Sequence, residues 1–81
     1  MPFRTDQKLA HVDGAPNGRL FDGLLEKPDG TLAGVEVKSG TASRNAQQRL
    51  FDDMVSYDNP ATVTIDGKVW KITSVILKEV P

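Results

Sequence analysis

The chain has 81 residues, of which 38% are hydrophobic and 26% charged, with a net charge of −1 and no cysteine. A single domain of this size buries roughly 60% of its unfolded surface, and the missing cysteines exclude disulfide frameworks and thiolate zinc sites. One histidine, His11, and no G-x-S-x-G turn leave zinc and Ser-His-Asp chemistry without their residues.

Any metal is therefore expected to be a hard, oxygen-seeking ion such as Mg²⁺ or Mn²⁺. No apolar run reaches the roughly 18 residues of a membrane span. The opening MPFRTDQKLAH lacks the apolar segment of a signal peptide. The slight acidic excess means that a nucleic-acid role needs local clustering of Lys8, Arg19, Lys38, Arg44, Arg49 and Lys68.

In chain order, Thr5 followed by DQKLAHV reads as a short capped helix with Leu9, Ala10 and Val12 on its apolar side. The cluster Gly14-Ala15-Pro16-Asn17-Gly18 reads as the turn that ends it. Arg19–Lys27 reads as a strand carrying Leu20, Phe21, Leu24 and Leu25. Gly23 marks a bulge or a close backbone approach. Asp22 stands out, because aspartate is disfavoured among apolar strand residues. Pro28-Asp29-Gly30 is a hairpin turn, with proline presetting φ and glycine accepting a positive one. Thr31–Lys38 is the partner strand.

The segment TASRNAQQRLFDDMVSYDNP reads as a helix over Ser43–Tyr57, capped by Thr41 or Ser43. Ala46, Leu50, Phe51, Met54, Val55 and Tyr57 form its apolar half. Asn45, Arg49, Asp52 and Asp53 form its wet half. Gln47 falls inside the apolar stripe, and Gln48 and Arg44 lie at its edge. Pro60 ends the segment. Ala61–Ile65 is a short strand, Asp66-Gly67 a two-residue hairpin turn, and Lys68–Val80 a longer strand with Trp70 in or beside the core.

These elements define one α/β domain bordering on α+β, residues 1–81. It has a mixed four-stranded sheet, element order α-β-β-α-β-β, and the Ser43–Tyr57 helix on one face. A right-handed crossover makes the Ala61–Ile65 strand parallel to the Thr31–Lys38 strand.

Period-two alternation puts Glu36 and Lys38 on one strand face, about 7 Å apart. The hairpin brings Asp22 across from Glu36. Two carboxylates so placed raise each other's pKa unless a cation lies between them. Mg²⁺ needs only one or two carboxylates plus phosphate oxygens. Such an ion activates water, and Lys38 is placed to orient that water or to stabilise charge on phosphorus. The competing reading is an ordinary exposed ion pair worth about 0–1 kcal/mol.

Asp22, then Glu36-Val37-Lys38 on the next strand, then a helix, resembles the PD-(D/E)XK restriction-endonuclease-like nuclease superfamily. More narrowly, Phe21-Asp22-Gly23 followed by VEVKSGTASRNAQQRLFDD resembles the nuclease toxin domains at the C-termini of bacterial polymorphic toxins, such as contact-dependent growth inhibition effectors. The likeness covers roughly residues 18–58. It implies a restriction-endonuclease-like core and hydrolysis of DNA, or of tRNA, with Mg²⁺ or Mn²⁺.

The same resemblance implies Asp22 and Glu36 as metal ligands and Lys38 as the catalytic lysine. A helical glutamine would complete the site, Gln48 by the family pattern and Gln47 by the helical wheel. Arg44 and Arg49 are the expected nucleic-acid contacts. The superfamily's acidic residue before the first core strand has only Asp6 or Asp13 to fill it. A toxin would act in the bacterial cytoplasm, as a monomer or dimer, opposed by a cognate immunity protein. A non-catalytic protein- or nucleic-acid-binding module on the same fold is the alternative.

Overall fold

The Pro28-Asp29-Gly30 hairpin forms as its turn chemistry requires. The computed structural model describes residues 3–4, 9–40 and 43–80. Gly30 has φ +85°, its N–H donates to Lys27 O at 3.0 Å, and Asp29 Oδ1 accepts from the Thr31 N–H at 2.9 Å. The turn joins β4 (Gly23–Glu26) to β5 (Leu32–Ser39), antiparallel, with Gly23 opposite Val35 and Leu24 opposite Gly34. The second expected hairpin also forms. It joins β6 (Ala61–Ile65) to β7 (Lys68–Val80), with positive φ at both Asp66 and Gly67.

The rest of the sheet is larger than four strands. β1 (Phe3–Arg4) pairs with β4, and β2 (Leu9–Val12) pairs with β6 and with β3 (Ala15–Leu20). Among the described residues, six strands form a mixed sheet in the order β1-β4-β5-β7-β6-β2, and β3 extends it beyond β2.

The expected N-terminal helix is not found where it is described. Leu9 and His11 are exposed while Ala10 and Val12 are buried, which is the period-two pattern of a strand. Residues 5–8 of that expected helix, Asp6 among them, lie outside the described residues. The expected turn at 14–18 is also mostly strand. Pro16 is tolerated there because β3 is an edge, where a missing N–H breaks no ladder bond.

The single strand expected over Arg19–Lys27 is interrupted at Phe21 and Asp22. This break organises the molecule. β3 and β4 lie toward opposite ends of the strand order, yet only two residues join them. Such a link spans about 11 Å at most. The sheet must therefore roll until its ends approach, enclosing Phe21, Leu24, Leu32, Val63, Ile65 and Ile72 with Phe51 of the helix. Phe21 and Phe51 meet edge to face, ring centres 6.0 Å apart.

The parallel pair also differs from expectation. β5 runs parallel to β7, and β6 is antiparallel to β7, so β6 does not continue β5 in parallel. The 13-residue β7 takes the position between β5 and β6, where both of its edges are hydrogen-bonded. A bulge between Leu32 and Ala33 sets the register beyond it, so that Gly34, Glu36 and Lys38 stand beside Val75, Leu77 and Glu79.

The helix α1 runs over Ala46–Met54 and is shorter than Ser43–Tyr57. Asn45, and not Thr41 or Ser43, caps it. Its side chain accepts from the Gln48 N–H at 2.8 Å, and Gln48 Oε1 accepts from the Asn45 N–H at 3.0 Å. The helix also lies turned relative to the expected wheel. Asp52 is buried and Leu50 is 42% exposed. Tyr57 lies past the helix end, where its hydroxyl donates to Asp29 Oδ2 at 3.0 Å. Phe51 packs onto Phe21 and Asp52 is buried with Arg19 of β3, and these two contacts set the rotation of the helix.

Candidate active site

Glu36 and Lys38 share one face of β5. Lys38 Nζ lies 3.0 Å from Glu36 Oε1, and Glu36 is only 5% exposed. The face continues back from Glu36 through Gly34, where an added Cβ would stand 2.8 Å from Phe21 ring atoms. A residue without a side chain at 34 thus lets Phe21 lie flat on the sheet and brings the following residue, Asp22, beside Glu36.

One step beyond the Gly23–Val35 pair, the register sets Asp22 opposite Glu36. Asp22 Oδ2 accepts from the Val37 N–H at 2.7 Å. That bond, then a side-chain hydrogen bond with Glu36, hold the Asp22 carboxyl below the usual carboxylate range; burial opposes them, and Lys38 and Arg19 add smaller pulls downward, so Asp22 is lowered and not raised as its pairing with Glu36 led one to expect. Asp22, Glu36 and Lys38, brought together by sequence reasoning, are together in space.

A second set of charges backs this group. Arg19 of β3 is 3% exposed and grips Asp52 with two bonds, Nε to Oδ1 and Nη2 to Oδ2, each 3.1 Å. Its Nη1 donates to Leu20 O at 3.2 Å and lies 3.6 Å from Glu36 Oε1. The guanidinium also sits 4.5 Å from the centre of the Phe21 ring. Arg44 Nη1 donates to Asp52 Oδ2 at 2.9 Å. A continuous chain of charge therefore runs Arg44, Asp52, Arg19, Glu36, Lys38, with Asp22 beside Glu36.

The Arg19–Asp52 pair is not evident from the sequence, and Asp52, expected on the wet face of the helix, is buried. The one signal was an arginine leading directly into the apolar run Leu20-Phe21. Nothing local shows that a helix 33 positions later would meet it.

Next to Lys38 the surface opens into a cleft of about 380 Å³ lined by Lys38, Ser43, Arg44, Arg49, Leu77 and Glu79. Arg44 and Arg49, the expected nucleic-acid contacts, thus border the same hollow as Lys38. The cationic cluster is smaller than the sequence list. Lys68 stands at the other end of β7, about 30 Å or more from Glu79 along the strand, with Nζ 4.1 Å from the Trp70 ring centre. Lys8 lies outside the described residues.

Neither glutamine completes the carboxylate group as expected. Gln48 spends its Oε1 on the helix cap. Gln47 is exposed, not in an apolar stripe, and borders a separate hollow of about 280 Å³ beside Gly18, Arg19 and Leu20. Asp13 is exposed at the β2–β3 turn, the far end of that ribbon from Arg19, and its carbonyl accepts from Asn59 Nδ2 at 3.0 Å. It is not near Asp22. His11 is exposed on β2.

The donor set suits a small hard cation. Asp22 and Glu36 offer oxygen ligands side by side, and Mg²⁺ characteristically uses one or two carboxylates while keeping waters or phosphate oxygens. Among the described residues no group of three or more His, Cys, Asp or Glu side chains is placed to hold a metal. A complete cage of protein ligands is thus not offered among the described residues.

Among the described residues no helix is long and apolar enough to cross a membrane. Compared with protein-family models, with curated proteins and with solved structures, the chain matches none, so its reading rests on its own residues and geometry.

Proposed function

We propose that this chain is a metal-dependent nuclease that hydrolyses phosphodiester bonds, of DNA in the first place and of tRNA as the other candidate. The observation that carries the reading is the meeting of Asp22, Glu36 and Lys38, with Lys38 also bordering a cleft lined by Arg44 and Arg49. The sequence likeness to PD-(D/E)XK nucleases and to bacterial toxin nuclease domains points the same way. With it come the further proposals of a delivered toxin acting in the cytoplasm of a target cell and of a cognate immunity protein.

In this reading Asp22 and Glu36 hold Mg²⁺ or Mn²⁺, which when bound supplies Lewis-acid polarisation of the phosphoryl group and a more acidic water. Lys38 donates to the attacking water and to the charge developing on phosphorus. Arg44 and Arg49 seat the phosphates of the backbone, fixing the register of the strand but reading no sequence. Arg19 and Asp52 hold the helix against the sheet, so the cleft walls keep their spacing.

The test is cleavage of supercoiled plasmid and of total RNA with Mg²⁺ or Mn²⁺. Glu36→Gln and Lys38→Ala are each expected to lower cleavage by about 10²-fold or more. Wild-type protein inert on both substrates, or variants as active as wild type, would reject the assignment.

A second reading, a non-catalytic binding module, is favoured by one observation. The site's charges are already paired with one another, Glu36 with Lys38 and Asp52 with Arg19 and Arg44. Nucleic acid bound equally well with and without divalent ions, and left intact, would support it.

A further inference from the structure

A second hollow, of about 280 Å³, lies between the β2–β3 ribbon and the first turn of α1. It borders Arg19, whose Nη1 stands 3.6 Å from Glu36 Oε1. Its rim adjoins that of the cleft beside Lys38. Arg44 and Arg49 line the cleft, while their chain neighbours Asn45 and Gln48 line the hollow. Consecutive Cα atoms are about 3.8 Å apart, so one polymer can enter both.

The two recesses differ in chemistry. The cleft sets Lys38, Arg44 and Arg49 against Glu79 alone, which suits a phosphate. The hollow holds no carboxylate, and its one charge, Arg19, is already matched by Asp52. Its apolar wall is Leu9 and Leu20, which stand opposite each other across β2 and β3 and are 51% and 49% exposed. Gly18 makes room for this wall: a Cβ there would stand 2.5 Å from Leu9 Cδ1, so Leu9 lies across β3. Three amide side chains complete the lining. Those of Asn45 and Gln48 are engaged in the helix cap. The exposed Gln47 amide makes no hydrogen bond to another described residue, and it carries a donor and an acceptor side by side.

Resting on the nuclease reading of the neighbouring site, we propose that this hollow is a nucleobase subsite that seats an unstacked adenine of the substrate strand. Half-exposed leucines accept the flat face of a base, and an uncharged hollow suits an uncharged group. A glutamine amide pairs with adenine in two places, its oxygen accepting from the N6 amino group and its nitrogen donating to N7. Guanine shows two acceptors on the same edge, and pyrimidines lack N7. A base laid against Leu9 and Leu20 has left its stack, so the preferred substrate is single-stranded or looped. Phosphate contacts at Arg44 and Arg49 position the strand, and Gln47 supplies the sequence preference that such contacts lack.

The experiment is fluorescence anisotropy of labelled thymidine hexamers carrying one central dA, dG or dC, in EDTA. Uridine hexamers carrying A, G or C form a second series. Cleavage of plasmid and total RNA with Mg²⁺ is measured on the same proteins. Expected is affinity for the adenine oligomer about fivefold or more above the others in at least one series. Gln47→Ala should remove the preference. Gln47→Arg should turn it toward guanine, since arginine pairs with O6 and N7. Gly18→Ala, which displaces Leu9, should weaken it, and annealing the oligomer to its complement should abolish it. Circular dichroism establishes that each variant is folded; Gln47 is exposed on the helix, so its variants retain the core.

Equal affinity for every oligomer would overturn the base subsite, and cleavage with Mg²⁺ would then leave the nuclease reading standing. A preference of unchanged size in Gln47→Ala would overturn its assignment to this hollow. A preference as large in the duplex would overturn the unstacked base. An adenine preference that follows Gln47, without cleavage, would support the subsite and reject the nuclease reading. Neither binding nor cleavage would overturn both.

Discussion

The buried pair of Arg19 and Asp52 invites a double-mutant cycle. Both side chains are 3% exposed, and their two parallel bonds of 3.1 Å join β3 to α1. Arg19→Met leaves Asp52 with Arg44 alone and Glu36 with Lys38. Asp52→Leu leaves Arg19 with Glu36 at 3.6 Å, Leu20 O and the Phe21 ring. Breaking a buried pair from one side strands a desolvated charge and costs about 3–5 kcal/mol. Arg44 remains to partner Asp52 in Arg19→Met, which places that variant at the lower end. Asp52→Leu belongs at the upper end.

A chain of this length has a total stability of about 4–12 kcal/mol, so either single variant should lose a large fraction of it. Replacing both leaves no stranded charge in the pair and matches the lost volume with apolar atoms. The double variant should therefore recover about 2–3 kcal/mol relative to the sum of the singles. Urea unfolding followed by circular dichroism measures all four corners of the cycle. A strictly additive double variant would refute the claim that the two side chains are held as one ion pair.

Two further outcomes are expected. Gly34→Ala pushes a Cβ to 2.8 Å from Phe21 ring atoms, so it should destabilise by about 1–3 kcal/mol; a variant as stable as wild type in urea would show that the ring has room to move. Asp29 is held below the usual carboxylate range by the Thr31 hydroxyl and N–H, and to a lesser degree by the Tyr57 hydroxyl and Lys27. Because its folded value is depressed, its stabilising effect is complete above the unfolded value of about 4 and is lost as pH falls through the folded one. The margin of wild type over Asp29→Asn should accordingly shrink with acid below about pH 4, and a margin constant down to about pH 2 would refute the assignment.

Short-range chemistry alone determined both hairpins. Pro28-Asp29-Gly30 and Asp66-Gly67 carry the φ preferences of their turns, and those preferences act within four residues. The same holds for Asp22, Glu36 and Lys38: one hairpin plus period-two alternation is enough to bring them together, and no distant contact is needed. The existence of the helix was also legible from its apolar spacing.

Its length and rotation were not. Asn45 outcompeted Thr41 and Ser43 as the cap because Gln48, three residues on, returned the bond, and Asp52 turned inward because Arg19 was waiting there. The strand identity of residues 9–12 depended on partners at 15–20 and 61–65. A four-residue stretch has no strong preference of its own until an edge is supplied.

The tertiary structure alone decided that β7 would stand parallel beside β5, that the chain would break at Phe21 and Asp22 to cross between the two ends of a rolled sheet, and that a charge-balanced group would form behind the carboxylates. Each of these depends on residues tens of positions apart. Whether a buried charge is tolerated is settled by what the fold brings beside it, and Arg19 and Asp52 are separated by 33 positions along the chain but by 3.1 Å in space.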